Sequence, residues 1–194
     1  MSNDAHADWS VRRNAIIGWV LLCGVVVSAA WSVGTGNHLW GAFEVTFVAV
    51  AALPAAAARD WRILVPWPLL ALGVVALVGQ TLGFHQELTS YTAVAAFTLV
   101  GVAELDAYTE VEMSRRFTIA FAVLATMAVQ GVWTVVRFYA DQLLETDLVV
   151  SQARIQWDFV FVTLIAVVVG SAFELYFKRA EGGGSEQEPA VSET

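Results

Sequence analysis

The chain has 194 residues, of which 58% are hydrophobic and 14% are charged, and its net charge is −8. Soluble domains carry about 25% charged residues, so this composition excludes an ordinary soluble domain and predicts an integral membrane protein. The acidic balance also argues against a nucleic-acid partner, because nucleic acids require a basic protein surface.

Six apolar segments follow one another along the chain, each close to the roughly 20 residues that a membrane-spanning helix needs. We therefore predict an all-α, polytopic membrane protein with six transmembrane helices within residues 14–179. Residues 1–13 form an N-terminal segment, and the glycine- and glutamate-rich residues 180–194 form a disordered tail. The first apolar segment is longer than a signal-peptide core of about 7–15 residues, so we expect it to be retained as a helix. The segments are 14–33, 39–58, 63–82, 89–107, 117–138 and 158–177.

The connections contain residues that begin and end helices. Residues 34–37, Gly-Thr-Gly-Asn, break the chain after the first helix. Pro66 and Pro68 fall in the first turns of the third helix, where a missing N–H costs least, and Pro54 predicts a kink in the second helix. The longest connection, 139–157, contains leucines and valines that we expect to lie along the membrane surface.

Basic residues are concentrated in alternate connections. Because cytoplasmic loops carry an excess of Lys and Arg, this pattern predicts a multi-pass protein of the cell membrane with both termini in the cytoplasm. Only Arg137 and Arg154 fall on the opposite side. A single lysine among the basic residues, with abundant Asp, Glu, Ala and Val, is typical of a salt-loving archaeon or a high-GC genome. The eight cytoplasmic basic residues are Arg12, Arg13, Arg59, Arg62, Arg115, Arg116, Lys178 and Arg179.

Six tryptophans lie near the ends of the apolar segments. Tryptophan prefers the headgroup layer, because its ring is apolar and its N–H requires a polar partner. We interpret these residues as membrane anchors rather than as ligand-binding residues: Trp9, Trp31, Trp40, Trp61, Trp67 and Trp157.

Polar residues in the fifth helix form the clearest candidate site. Gln130, Thr134, Arg137 and Asp141 stand at i, i+4, i+7 and i+11, which places them on one helical face. They are either the wall of an outward-facing pocket, or residues that bond to neighbouring helices while Arg137 extends to the lipid headgroups.

Other ionisable residues are expected at the same depth, where burial in hydrocarbon costs about 2.5–3.5 kcal/mol on insertion scales. Glu44 lies in the second helix, His85 precedes the fourth, and Arg154 and Asp158 lie near the start of the sixth. If these helix ends meet, Glu44, His85, Asp158 and the helix-five residues form one site near the outer surface.

No cofactor or metal is predicted. The sequence lacks G-x-S-x-G, H-E-x-x-H and P-loop motifs, and it has no intramembrane lysine that could hold retinal. Its single cysteine, Cys23, lies inside the first apolar segment, where we interpret it as a small packing residue.

The second half of the chain resembles a known membrane-protein family. The run HQELT over 85–89, the run GVWTVVRFYAD over 131–141 and the run QWD over 156–158 resemble the YjdF-like family of six-helix inner-membrane proteins and, more distantly, the VanZ-like family. The similarity covers about residues 80–172. It implies the six-helix fold and a carboxylate-rich site on the outer side, which in that family could hold a divalent cation.

The chain departs from the family pattern at three positions. Thr134 and Arg137 stand where the family has carboxylates, and Arg154 stands where the last run has its first Asp. His85, Asp141 and Asp158 remain. The departures imply that the family's metal site is lost, or that the pocket accepts an anion instead.

We favour a non-enzymatic membrane protein whose partners are the lipid bilayer and either a second copy of the chain or another membrane subunit. Two alternatives stay open. The first is a small transporter that uses the stripe from Gln130 to Asp141. The second is an intramembrane enzyme that acts on a lipid or envelope precursor through His85, Asp141 and Asp158.

Overall fold

The computed structural model describes residues 2–108, 115–144 and 152–182. These residues form six helices and no strand, which confirms the all-α prediction for this part of the chain. The helices are α1 (Ser2–Gly34), α2 (His38–Ala58), α3 (Trp67–Thr81), α4 (Gln86–Tyr108), α5 (Arg115–Leu144) and α6 (Gln152–Gly182).

Four helices are long and apolar enough to cross a membrane. The candidate spans are Trp9–Gly34, His38–Ala58, Gln86–Leu105 and Ala120–Leu143, and shorter apolar helical stretches cover Trp67–Thr81 and Gln156–Ser171. A helix of 15 residues, such as α3, is about 22 Å long. It is therefore shorter than the roughly 30 Å hydrocarbon core of a bilayer.

Successive helices run up and down the bundle. α1 packs against α2 and α3, α3 packs against α4, and α4 also packs against α5 and α6, which contact each other. We call the end that carries the turns 35–37 and 82–85 the distal end, and the end that carries the connection 59–66 the proximal end. Because α4 contacts α2, α3, α5 and α6, its first turns bring the distal ends of several helices together.

One close contact joins α2 to α3 within the core. Phe47 of α2 is fully buried, and a Cβ built on Gly73 of α3 would lie 2.4 Å from Phe47 Cζ. Gly73 therefore allows α3 to approach α2 more closely than any residue with a side chain would. The fully buried Leu70 and Leu77 lie one turn on either side of Gly73 in α3.

Trp40 is a core residue, so its assignment as a membrane anchor is wrong. It is 4% exposed, and its ring stacks on Phe43 at 5.2 Å and meets Trp133 of α5 edge-on at 6.2 Å. The sequence shows only that Trp40 lies at a helix start, whereas its burial results from the aromatic neighbours on α2 and α5. The other five tryptophans are exposed, as membrane anchors would be: Trp9, Trp31, Trp61, Trp67 and Trp157.

The predicted start of the third helix at residue 63 is wrong, because α3 begins at Trp67. Pro66 caps the helix and Pro68 lies in its first turn, so neither lost N–H interrupts the helix interior. The backbone ahead of α3 bonds to Asn14 of α1 instead. Asn14 Nδ2 donates to the carbonyls of Leu64 and Val65 at 3.3 Å, and Asn14 Oδ1 accepts from Trp67 N–H at 2.7 Å.

The predicted connection over residues 139–157 is also too long. α5 continues to Leu144 and α6 begins at Gln152, because no Gly or Pro interrupts residues 132–157. Leu143 and Leu144 therefore belong to a helix, whereas most of the surface-lying stretch falls outside the described residues.

At the termini, helix covers most of the predicted N-terminal segment and extends past Arg179 to Gly182. The predicted tail beyond that point is outside the described residues.

Candidate functional site

A polar pocket lies at the distal end, where α3 ends and α4 begins. It has a volume of about 230 Å³ and is open to the surroundings. Four helices contribute to it. Its lining residues are Gln80 of α3, Gln86, Glu87, Ser90 and Tyr91 of α4, Arg137 of α5 and Asp158 of α6.

The start of α4 supplies most of the pocket. Gln86 and Ser90 stand at i and i+4, as do Glu87 and Tyr91. Each pair therefore lies on one face of the helix, and the two faces are adjacent on its first turns. Glu87 lies in the first turn, where the helix dipole favours a carboxylate. The turn before α4 is tight: Gly83 has a φ of 77° and His85 a φ of 36°.

A side-chain hydrogen bond connects α3 to α4 beside the pocket. Thr89 Oγ1 donates to Gln80 Oε1 at 2.8 Å. Because Gln80 lines the pocket from the last turn of α3, this contact, the shortest that the Thr89 hydroxyl makes, places the Gln80 amide beside α4. The pocket wall is therefore held at the junction of two helices that also pack along their length.

Tyr91 and Asp158 connect α4 to α6. The Tyr91 hydroxyl donates a hydrogen bond to Asp158 Oδ1. The Tyr91 ring stacks on Phe161 of α6 at 6.1 Å with an interplanar angle of 10°. The carboxylate is consequently held in one orientation by a charge-assisted hydrogen bond, and its second oxygen can still accept from a ligand.

The pocket contains charges of both signs. Arg137 supplies one guanidinium, while Glu87 and Asp158 supply two carboxylates, so the formal charge of the lining is −1. Guanidinium groups bind carboxylates and phosphates through paired hydrogen bonds, and carboxylates accept from ammonium groups. This arrangement suits a small molecule that carries both an anionic and a cationic group.

The stripe predicted on α5 is divided between the core and the pocket. Gln130 is 2% exposed, and Thr134 Oγ1 donates to the Gln130 carbonyl at 2.9 Å. Arg137 lines the pocket, whereas Asp141 is partly exposed one turn further on and is not among the lining residues. The stripe therefore does not act as one surface: Gln130 is buried, Thr134 bonds within its own helix, and only Arg137 lines the pocket.

Arg137 and Asp158 share the pocket, but His85 and Glu44 do not line it. His85 is exposed and lines an adjoining open cavity of about 470 Å³, which shares Gln86 and Glu87 with the pocket. Arg154 lies in the first turn of α6, and its side chain falls outside the described part of the structure. The residues expected at one site therefore lie in different places: Arg137 and Asp158 line the pocket, His85 lines the adjoining cavity, and Glu44 lies between other helices.

Glu44 forms a second polar centre between α1, α2 and α3. Its side chain is fully buried, and its Oε1 accepts hydrogen bonds from Ser28 Oγ at 2.5 Å and from Thr81 Oγ1 at 2.9 Å. Ser32 Oγ lies 3.2 Å from Thr81 Oγ1. Glu44 Oε2 is buried and has no hydrogen-bond partner among the described residues.

Several residues of these two centres were missed in the sequence. Tyr91 lies among hydroxyl residues near the start of a helix and carries no motif. Ser28 and Ser32 had a usable signal, because two serines four residues apart in an apolar helix lie on one face. Thr81 had none, since its proximity to Glu44 depends on the packing of α3 against α2.

Within the described ranges, no three His, Cys, Asp or Glu side chains lie close enough together to hold a metal ion. Cys23, which we interpreted as a small packing residue, is exposed on α1. In an apolar helix that is long enough to span a membrane, this exposed position would face lipid.

Comparisons with known proteins give one match. A family model described as a domain of unknown function (DUF8268) matches residues 10–64, a region that contains α2 and most of α1. No curated protein and no solved structure matches the chain. The matched region does not overlap residues 80–172, so the resemblance to the YjdF-like family stays a prediction.

Proposed function

We propose that the protein is a non-enzymatic, multi-pass protein of the cell membrane that binds a small zwitterionic solute in its distal pocket. The observation that supports this function is the presence of Arg137, Glu87 and Asp158 in one pocket. A guanidinium would bind the anionic group of the solute, and the carboxylates would bind its ammonium group. Transport of the same solute is a natural extension of this function, with the pocket as the entry site.

The proposed topology has six spans, both termini in the cytoplasm and the distal pocket outside. Eight basic residues on the proximal side support this orientation. The two shorter apolar stretches complete the set of spans, because apolar residues over 63–65 and 82–84 flank α3 on both sides and α6 continues as a helix beyond Ser171.

Labelling of introduced cysteines in intact cells tests the topology. In a Cys23→Ala background, Asn37→Cys and Phe84→Cys should react with a membrane-impermeant maleimide from outside, whereas Asp60→Cys should react only after permeabilisation. Labelling of Asp60→Cys in intact cells would contradict the proposed orientation.

The positions of Asp158 and His85, the residues considered for acid–base chemistry, support a non-enzymatic role. Asp158 accepts a hydrogen bond from Tyr91, and His85 lines the adjoining cavity rather than the pocket that holds Asp158. A general base must lie within hydrogen-bond reach of the proton that it removes, and His85 is not among the residues that line the pocket with Asp158.

Direct binding measurements test the solute class. Glycine, β-alanine and γ-aminobutyrate provide zwitterions of increasing charge separation, and acetate and ethylamine provide each charge alone. We expect the purified protein in nanodiscs to bind at least one zwitterion and neither single-charge analogue. Arg137→Gln should weaken that binding by about 10–100-fold, the equivalent of 1.5–3 kcal/mol for a charged hydrogen bond.

Arg13→Gln is the matched control, because Arg13 is an exposed arginine at the proximal end. It should leave the affinity for the zwitterion unchanged. Equal weakening by the two substitutions, or binding of acetate as tight as that of the zwitterions, would contradict the proposed recognition of two opposite charges.

A further inference from the structure

Glu44 is a carboxyl group inside a candidate membrane span. It lies six residues into α2, about 9 Å along the helix, and its side chain is fully buried. The hydrogen bonds that reach it come from hydroxyl groups, and no basic side chain among the described residues pairs with it. An isolated negative charge in hydrocarbon carries a large desolvation cost, so a positive charge is needed to balance this site.

Three hydroxyl side chains from two other helices form a polar cluster with Glu44. Ser28 and Ser32 of α1, Glu44 of α2 and Thr81 of α3 form a connected set, in which successive oxygens lie 2.5–3.2 Å apart. Glu44 Oε2 is buried without a partner, and so it retains the capacity to bind a positive charge. Oxygen ligands of this kind suit hard cations.

Thr81 can adjust to an occupant. Its hydroxyl oxygen lies 2.9 Å from Glu44 Oε1 and 3.2 Å from the Leu77 carbonyl, so the hydroxyl has two acceptors within hydrogen-bond distance. When it donates to Leu77, the lone pairs of Thr81 Oγ1 become available to a cation bound at Glu44.

We propose that Glu44, together with the hydroxyls of Ser28, Ser32 and Thr81, is an intramembrane site for one small monovalent cation, either a proton or Na⁺. A single carboxylate balances a single charge. The absence of a second acidic ligand among the described neighbours disfavours divalent ions. This site rests on its own contacts and is independent of the distal pocket.

Labelling with dicyclohexylcarbodiimide tests the site. This apolar reagent enters membranes and forms a stable adduct with a carboxyl group that carries a proton. The full chain in proteoliposomes is treated over a range of pH with and without Na⁺, and the adduct is located by mass spectrometry. We expect an adduct at Glu44 at acidic pH that declines as the pH rises, and Glu44→Gln should abolish it. Protection by Na⁺ at constant pH would identify Na⁺ as a ligand, whereas equal labelling with Na⁺ and with K⁺ would identify the proton.

A stability measurement provides a second readout. If Na⁺ binds, it should raise the Tm of the wild-type protein. Thr81→Val should then raise the Na⁺ concentration needed for protection by at least about tenfold. If the proton is the ligand, Thr81→Val should shift the pH profile of labelling by at least about tenfold in proton concentration. Thr46→Val is the matched control, because the exposed Thr46 hydroxyl bonds only to the Ala42 carbonyl of its own helix, at 2.8 Å. The absence of an adduct at Glu44 even at acidic pH, together with a Tm that does not respond to Na⁺, would overturn the proposal. Neither result depends on solute binding in the distal pocket, so the two proposals can fail separately.

Discussion

Substitution of Gly73 by alanine tests the close approach of α3 to α2. The new Cβ would lie 2.4 Å from Phe47 Cζ and 2.7 Å from Phe47 Cε2, and the ring is fully buried. Overpacking of this kind costs about 1–3 kcal/mol, of which the higher helix propensity of alanine recovers about 1 kcal/mol. Because two ring atoms would be in severe overlap, we expect a net loss of about 1–2 kcal/mol. The same contact holds Thr81, two turns further along α3, beside Glu44.

Gly101→Ala is the matched control, because nothing lies within 4 Å of the Cβ position at Gly101 in α4. This substitution should stabilise the protein by about 1 kcal/mol through helix propensity alone. The two variants should therefore differ by about 2–3 kcal/mol. At about 2–4 °C per kcal/mol for a chain of this size, the difference should be evident in thermal unfolding in detergent.

A double-mutant cycle separates the clash from other effects of the alanine. Phe47→Leu removes the ring, so Gly73→Ala should cost at least about 1 kcal/mol less in that background than in the wild type. Additive effects, or a Gly73→Ala protein as stable as Gly101→Ala, would refute the proposed contact between the two helices.

Three further substitutions test other parts of the structure. Asn14→Ala removes three hydrogen bonds to the backbone ahead of α3 and should lower the unfolding free energy by about 2–3 kcal/mol; a loss below about 0.5 kcal/mol would contradict that role. Gln130→Met removes a buried oxygen that has no partner, so stability should stay the same or rise by about 1 kcal/mol with solute binding unchanged; weaker binding would place Gln130 in the site. Tyr91→Phe removes the hydrogen bond to Asp158 and should weaken solute binding by about tenfold or more, whereas Tyr139→Phe, at an exposed position outside the pocket, should not.

The positions of the helices could largely be predicted from the sequence. Each of the six helices in the described ranges overlaps one predicted apolar segment, because a chain in hydrocarbon requires both an apolar surface and an internally bonded backbone. Pro66 and Pro68 provide a local signal for a start of α3 near residue 67. The bonds from the Asn14 side chain of α1 could not be predicted, because they reach a backbone segment about fifty residues away.

The candidate site was predicted only in part. The sequence indicates the depth of a residue along its helix, and Arg137 and Asp158, which are expected at a similar depth, line the same pocket. The neighbours of each residue depend on how the helices pack. Glu44 and Arg137 are expected at a similar level, but Glu44 faces α1 and α3 whereas Arg137 lines a pocket with α4 and α6. The burial of Trp40 also depends on helix packing, because its position at a helix start does not predict the contact with Trp133 of α5.

The most direct test of the central proposal measures solute binding and membrane position together. In a Cys23→Ala background, Ser90→Cys places a thiol on the pocket wall, and its reaction with a membrane-impermeant maleimide can be followed in intact cells. The proposed function predicts that the thiol reacts from the outside and that a bound zwitterion slows the reaction, while acetate and ethylamine do not. Reaction only after permeabilisation, or a rate that none of the zwitterions changes, would contradict an outward-facing pocket that binds a zwitterionic solute.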